Sequence, residues 1–366
     1  MQFIDLKTQT QRIEDKLYAR FKAVLNHGTY ILGPEVAELE QSLASFVGVE
    51  HALALSSGTD ALLIALMALG VGPGDEVITS PFSFFATAEV IALLGAKPVF
   101  VDIDPVTYNI DPALIESVIS KKTKAIIPVS LYGQCADYDE INAVALRYNI
   151  PVIEDGAQSF GATYKGRHSL GLTHIGCTSF FPSKPLGCYG DGGACFTNDP
   201  ELAKRMREIH VHGQSARYHH TSLGINGRMD TIQAGFLLEK LVIFPEEMQL
   251  RQEVAQRYNQ LLPATIKKPL VKSHNVSAYA QYTIEVNDRD SLQKALQQRG
   301  IPTAVHYPLG LHEQPIFKQL YPEKQHYPHS EHAARKVMSI PMHPYLTAEQ
   351  QHQVADALAA LITENA

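Results

Sequence analysis

Between residues 51 and 154, short apolar runs alternate with helical stretches of about ten residues, and this regularity constrains the fold most. Strands are expected at His51–Leu55, Glu76–Thr79, Lys97–Ile103, Ala125–Ser130 and Pro151–Glu154. Helices are expected between them at Asp60–Leu69, Ala86–Leu94, Pro112–Ser120 and Asp139–Tyr148. The runs are apolar throughout rather than alternating, which suits strands buried on both faces. Such βαβ units predict an α/β fold with a mostly parallel central sheet between two helical layers.

Amphipathic helices are expected first, at Gln11–His27 and Glu35–Phe46. Past the alternating region a buried strand, Thr178–Phe181, should stop at Pro182, which has no N–H to offer a ladder. A helix at Glu201–His210, a polar histidine-rich stretch and a helix at Asp230–Leu241 follow. Composition shifts near Phe244–Glu247, and a separate helix to Leu262 is expected beyond the shift. The remainder reads as strand Ala280–Val286, helix Asp290–Arg299, strand Thr303–His306, a proline-rich connection and helix Ala348–Ile362, with fraying past Thr363. The expected division is a large domain, residues 1–245, and a small α+β domain, residues 246–366.

Bulk properties exclude several classes. With net charge −7 over 366 residues and no basic block, neither nucleic acid nor an anionic membrane is an expected partner. Cys135, Cys177, Cys188 and Cys195 show neither CxxC spacing nor a disulfide framework, so a reducing cytoplasm is expected and a zinc site is not. The N-terminal residues do not read as a signal peptide, and the longest apolar stretch, Ala61–Val71, is too short to span a bilayer.

The stretch 177–198, CTSFFPSKPLGCYGDGGACFTN, places Lys184 between Pro182 and Pro185 and ahead of several glycines. Such a lysine is either an ordinary loop residue or a desolvated amine that forms a Schiff base with a carbonyl compound. The turn Ser56-Ser57-Gly58-Thr59 joins a strand to a helix, where N–H groups and the helix dipole attract an anion; otherwise it is a plain turn with Thr59 as N-cap. Asp155 closes a buried strand at the end where open α/β sheets bind ligands. Its carboxylate needs a cationic partner, either a protonated heterocycle or an arginine. Phe82, Phe84 and Phe85 form a loop that could stack on a flat ring or pack in the core. Asp102-Ile103-Asp104 offers a rival reading, the metal-binding DxD of a nucleotide-sugar glycosyltransferase, although two aspartates closing a strand are also routine turn chemistry. His210, His212, His219 and His220 lack metal-ligand spacing and are expected on a polar surface.

Taken together and in order, the SGT turn, the aromatic loop, the strand-end ED-x-A-Q, SF-x-x-x-K and G-D-G-G resemble the DegT/DnrJ/EryC1/StrS sugar aminotransferases of fold type I. The resemblance runs from FIDLK and ILGPEV to HYP and SIPMHP. More narrowly, VSLYGQCAD, EDGAQSFGA, SFFPSKPLGCYGDGG and PTAVHYP look like enzymes that aminate C3 of a UDP-2-acetamido-2-deoxy-3-keto-hexuronic acid for bacterial surface polysaccharide (O-antigen). A 4-keto nucleotide sugar is the alternative within the family.

The resemblance implies pyridoxal 5'-phosphate as cofactor, L-glutamate as amino donor leaving as 2-oxoglutarate, and a homodimer with shared active sites. It implies that Lys184 carries the cofactor, Asp155 pairs with the ring nitrogen and Gln158 bonds the ring hydroxyl. Phe84 and Ala157 would cover the ring faces, while Gly58, Thr59 and Ser179 bind the phosphate. Asn226 of a neighbouring subunit would complete that phosphate site, and its Arg228 would pair with the sugar carboxylate, where the alternative is a structural salt bridge. His306 and Tyr307 would touch substrate. The glycines after Lys184 would leave room for cofactor and neighbouring chain. Two positions depart from the pattern: Asp191-Gly-Gly stands where many relatives have Glu-Gly-Gly, and Phe84 where others use Tyr or Trp. Lys184 argues against the dehydratase branch, which has histidine there.

Overall fold

A computed structural model describes residues 1–323 and 325–364. Helices α1 (Leu6–His27) and α2 (Pro34–Val47) lead into the alternating region. There strands β1 (His51–Leu55), β2 (Glu76–Thr79), β3 (Lys97–Phe100), β4 (Thr123–Ile127) and β5 (Ile153–Asp155) alternate with helices. These are α3 (Gly58–Ala68), α4 (Ala86–Leu93), α5 (Pro112–Ile115) and α6 (Tyr138–Tyr148). Next come β6 (Ile175–Ser179), β7 (Gly193–Thr197) and α7 (Pro200–Ile209). Strand β6 therefore begins and ends earlier than Thr178–Phe181.

The strands form one twisted layer in the order β3-β2-β4-β5-β6-β7-β1. Parallel ladders join β3, β2 and β4, and parallel bridges Ile126–Val152 and Val129–Asp155 join β4 to β5. Strand β6 is parallel to β5, whereas β7 runs antiparallel to both β6 and β1. Successive side chains leave a strand on opposite faces, and both faces here are covered. Leu53 and Leu55 pack with Ile64 and Met206 on one side, while Ala52, Ala54 and Phe196 meet Leu39 and Leu237 on the other. Each such large apolar side chain is worth about 1.5–3 kcal/mol when buried.

A 31-residue helix, α8 (Thr231–Leu261), replaces the two expected helices. Pro245 lies inside it and forfeits one backbone hydrogen bond, yet the flanking Phe244 and Glu247 are buried, and that packing carries the helix through. The expected boundary at 245/246 thus falls within a continuous helix. A second core beyond it gathers Tyr258, Tyr282, Ile284, Met338, Ile340 and Leu358. Here β8 (Tyr282–Glu285) pairs antiparallel with β9 (Val337–Ile340), and α9 (Arg289–Gln298) lies between them in sequence. The expected strand Thr303–His306 reduces to a single bridge, Ala304–Ser339, on the edge of β9 opposite β8. The proline-rich connection holds two helices, α10 (Pro315–Leu320) and α11 (Pro328–Lys336). Their prolines begin each helix, where the missing N–H costs nothing. Helix α12 spans Ala348–Glu364, and the fraying expected past Thr363 falls, beyond Glu364, outside the described residues.

His343 is buried, and burial brings its pKa down to about 4, so it is neutral in the folded protein. An unfolded histidine titrates near 6.5 (about), so between these values the unfolded chain binds a proton that the folded chain refuses. The stability His343 contributes is complete above the unfolded value and disappears as pH falls toward 4. Urea unfolding at pH 7 and pH 4.5 should show wild type losing about 2 kcal/mol more than His343→Asn. Equal losses would remove His343 as the cause.

Candidate active site

The C-terminal ends of β5 and β6, the start of α3 and the loop before α4 enclose a cleft of about 440 Å³. Gly58, Thr59, Phe84, Asp155, Ala157, Gln158, Ser179, Lys184, His306 and Tyr307 all line it. Residues dispersed over 250 positions of sequence therefore converge on one cavity (about).

Asp155 sits on its floor. One carboxylate oxygen accepts from the Thr87 hydroxyl at 2.7 Å and the other from the Ala157 N–H at 3.2 Å. Burial pushes its pKa up, opposed by those two bonds and by the charge of Lys184. The same burial pushes Lys184 down, opposed by Asp155. A carboxylate and an amine thus face one enclosed space, each disfavoured in its charged form and each available to an incoming polar ring. No arginine is hydrogen-bonded or ion-paired to Asp155 among the described residues, and the cation whose charge acts on it is Lys184.

Ser57, not Thr59, caps α3: its hydroxyl accepts from the Asp60 N–H at 3.0 Å. Thr59 is left inside the first turn, where N–H groups have no acceptor within the helix and attract anions. Ser179 is packed so closely that a Cβ on Gly58 would lie 2.6 Å from its Cβ. Only glycine lets the helix start approach the end of β6.

Gln158 accepts from the Tyr132 N–H at 2.7 Å and donates to the Tyr307 hydroxyl at 3.0 Å. Its amide nitrogen keeps a second N–H for a ligand. His306 bonds Ser339 at 3.0 Å, and burial followed by the nearby Lys184 charge brings it down to about 4. The aromatic loop divides its labour. Phe82 is buried against Tyr108, Phe85 packs on Phe317, and Phe84 is 57% exposed at the cleft, 6.2 Å from the Tyr307 ring.

Asn226 and Arg228 lie outside the cleft of their own chain. They bond each other, Arg228 Nε donating to the Asn226 side-chain oxygen at 2.8 Å, so Arg228 is paired with an amide rather than a carboxylate. Three glycines of the lysine loop pack against this chain, while Gly192 lines the cleft. A Cβ on Gly187 would meet the Pro182 carbonyl, one on Gly190 the Gln233 amide, and one on Gly193 the Ser57 backbone. They make room for this chain itself.

The aspartate pair is structural. Asp102 caps α11, accepting from the His329 and Ser330 N–H groups at 2.9 Å and the Ser330 hydroxyl at 2.6 Å. Asp104 closes a turn onto the Val106 and Thr107 N–H groups. With both carboxylates so occupied, the glycosyltransferase reading loses its residues. His210 is buried rather than on the surface, its ring bonded to the Arg207 carbonyl at 2.5 Å; His212, His219 and His220 are exposed. Thr87, Ser83, Ser183 and Gln281 belong to the site or its floor and escaped the sequence reading, since nothing local marks them.

A sequence profile of the DegT/DnrJ/EryC1/StrS aminotransferase family matches residues 11–359. The chain belongs to that family. The aminotransferase is 60% identical over 347 residues to UDP-2-acetamido-2-deoxy-3-oxo-D-glucuronate aminotransferase of Pseudomonas aeruginosa, covering 94% of this chain and 96% of that one. A family member from Brucella abortus superposes with TM-score 0.94 at 45% identity, covering 99% of each chain. NtdA of Bacillus subtilis, solved with bound cofactor PMP, superposes with TM-score 0.90 at 32% identity, covering 99% of the aminotransferase and 83% of NtdA. Fold type I is thereby shown for the aminotransferase.

Proposed function

We propose that this aminotransferase uses pyridoxal 5'-phosphate to move an amino group from L-glutamate to C3 of a UDP-2-acetamido-2-deoxy-3-keto-hexuronic acid. The observation that carries the reading is the convergence of Asp155, Gln158, Ser179 and Lys184 on one cleft. The residues fit the cofactor. A buried carboxylate without a cation bound to it suits a protonated ring nitrogen, and the helix start at Gly58–Thr59 beside Ser179 suits a phosphate. When bound, the cofactor supplies a carbonyl for the donor amine and a ring that accepts electrons. Asp155 holds the ring nitrogen's proton, with Thr87 orienting the carboxylate. The Lys184 Nζ, kept partly neutral by burial, takes the proton from the donor's α-carbon and later delivers one to the sugar carbon. Phe84 and Ala157 would cover the ring faces, and His306 and Tyr307, which line the same cleft, would meet the sugar.

The chain works as a dimer in this reading. Asn226 and Arg228 sit outside their own cleft, and α1 exposes Tyr18, Phe21 and Leu25 beside Tyr30, Ile31 and Leu32, an apolar surface suited to a second copy. Arg228 then pairs with the sugar carboxylate of the neighbouring site, in surface-polysaccharide (O-antigen) synthesis in the cytoplasm. Among the described residues no helix is long and apolar enough to cross a membrane.

Mass spectrometry of products from a panel of UDP-3-keto sugars with glutamate tests the reading. An amine product from the 3-keto uronate is expected; no product from any 3-keto sugar would sink it. Arg228→Ala should lower kcat/KM for the uronate about 100-fold and spare the 6-hydroxymethyl counterpart. Equal wild-type rates on the two sugars would remove the carboxylate role.

A further inference from the structure

The loop carrying Lys184 is tied to itself at both ends. Lys184 N–H donates to the Phe181 carbonyl at 2.9 Å, and Cys188 N–H donates back to the Phe180 carbonyl at 2.8 Å. Gly187 brings the return limb against Pro182, since a Cβ there would lie 2.6 Å from the Pro182 carbonyl. These bonds hold the loop's shape. Helix α8 holds its position. Lys240 is fully buried, donates from Nζ to the Gly187 carbonyl at 2.6 Å, and lies 3.7 Å from the centre of the Tyr189 ring. Seven residues earlier on the same helix (about two turns), Gln233 accepts from the Tyr189 N–H at 2.9 Å and donates to its carbonyl at 3.1 Å. The Tyr189 hydroxyl reaches Thr10 of α1 at 2.8 Å.

An ammonium is an expensive way to fill this space, because an aliphatic side chain would carry no desolvation cost. What the charge adds is a short, directed bond to one carbonyl three residues from the reacting amine, reinforced by an aromatic face. The groups that face it are Glu247 from α8 and Cys188 from the loop, with Tyr189 beneath. Neither carboxylate nor thiol is bonded to its nitrogen among the described residues. Burial brings the ammonium down to about 8, which leaves it charged at neutral pH.

We propose that Lys240 is a positioning residue that fixes the Lys184 backbone relative to Asp155, and so sets the angle at which the Lys184 amine meets the cofactor carbonyl. The proposal rests on Lys184 being the cofactor lysine. Its test needs no sugar: full-length enzyme is loaded with pyridoxal phosphate and the pH midpoint of the Schiff-base absorbance is measured. The rate at which glutamate removes that absorbance is a second readout. In Lys240→Met the midpoint should move by about half a pH unit or more, and the glutamate reaction should slow about tenfold. A clamp that served stability alone would lower the melting temperature and leave both readouts in place. Wild-type midpoint and rate in Lys240→Met would overturn the proposal. If that variant fails to fold, Gln233→Ala, which cuts only the neighbouring strap, must shift the midpoint; an unchanged midpoint overturns it equally. Wild type that forms no Schiff-base band at all would instead defeat the assignment of Lys184, and this inference with it.

Discussion

Lys184→Ala is expected to lose the Schiff-base absorbance with pyridoxal phosphate and at least about 1000-fold in turnover, while keeping its fold. The amine is proposed as both the attachment point and the proton carrier, and among the described residues no other lysine lines the cleft to replace it. The side chain is half-buried at the cavity wall with its backbone held by Phe181, so truncation removes chemistry more than packing. Full activity in the variant would dispose of the mechanism. The same variant tests sharing of sites. Mixed with Arg228→Ala under conditions that exchange subunits, it should regain uronate activity, because one hybrid site then holds an intact Lys184 and an intact neighbouring Arg228. No recovery would place Arg228 in its own subunit's site.

Asp155→Asn should cost about 100- to 1000-fold in turnover, equivalent to roughly 3–4 kcal/mol of transition-state stabilisation. An amide keeps the shape, its oxygen can still accept from the Ala157 N–H and its NH2 can donate to the Thr87 hydroxyl, but it cannot hold a positive charge on the ring nitrogen. The loss should therefore appear in both half-reactions, with glutamate and with the sugar, and leave the thermal midpoint within a few degrees or higher. Burial already disfavours the native carboxylate, so its removal relieves a cost in the empty protein. A loss confined to the sugar half-reaction would contradict the role given to Asp155.

Residues that converge on the cleft were readable from sequence because each is announced by its own neighbours. Asp155 ends an apolar strand, Lys184 stands between prolines, and Gly58 breaks the step from strand to helix. Their supports were not readable. Thr87 bonds Asp155 from 68 positions away and Lys240 bonds Gly187 from 53, and neither has a local pattern to give it away. Asp102 shows the converse error. Two aspartates closing a strand suggested a metal, yet the partner they serve is a helix start 228 positions on at Ser330. Helix α8 was divided at a composition shift near Phe244–Glu247, yet the buried side chains around Pro245 carry it through as one helix. Thr303–His306 has a strand's composition, yet it holds to the edge of β9 by a single bridge.

The reversal of β7 has a consequence for how such a catalyst can vary. Because β6 is followed by an antiparallel neighbour, its departing loop never crosses to the far side of the sheet, and Lys184 stays on the same rim as Asp155. The acid thus stands at the tip of β5 and the amine on the loop that leaves its parallel neighbour, with Asp155 in register with Cys177 and Ser179 two residues further along. Neighbouring strands are about 4.8 Å apart in any sheet, so backbone hydrogen bonding sets the spacing of the two strand tips, and the Lys240 strap holds the loop that continues from Ser179 to Lys184. His306 and Tyr307, proposed to meet the sugar, lie outside those strands. A chain built this way can be retrained for new substrates at its margins while the spacing that makes and breaks carbon–nitrogen bonds stays fixed.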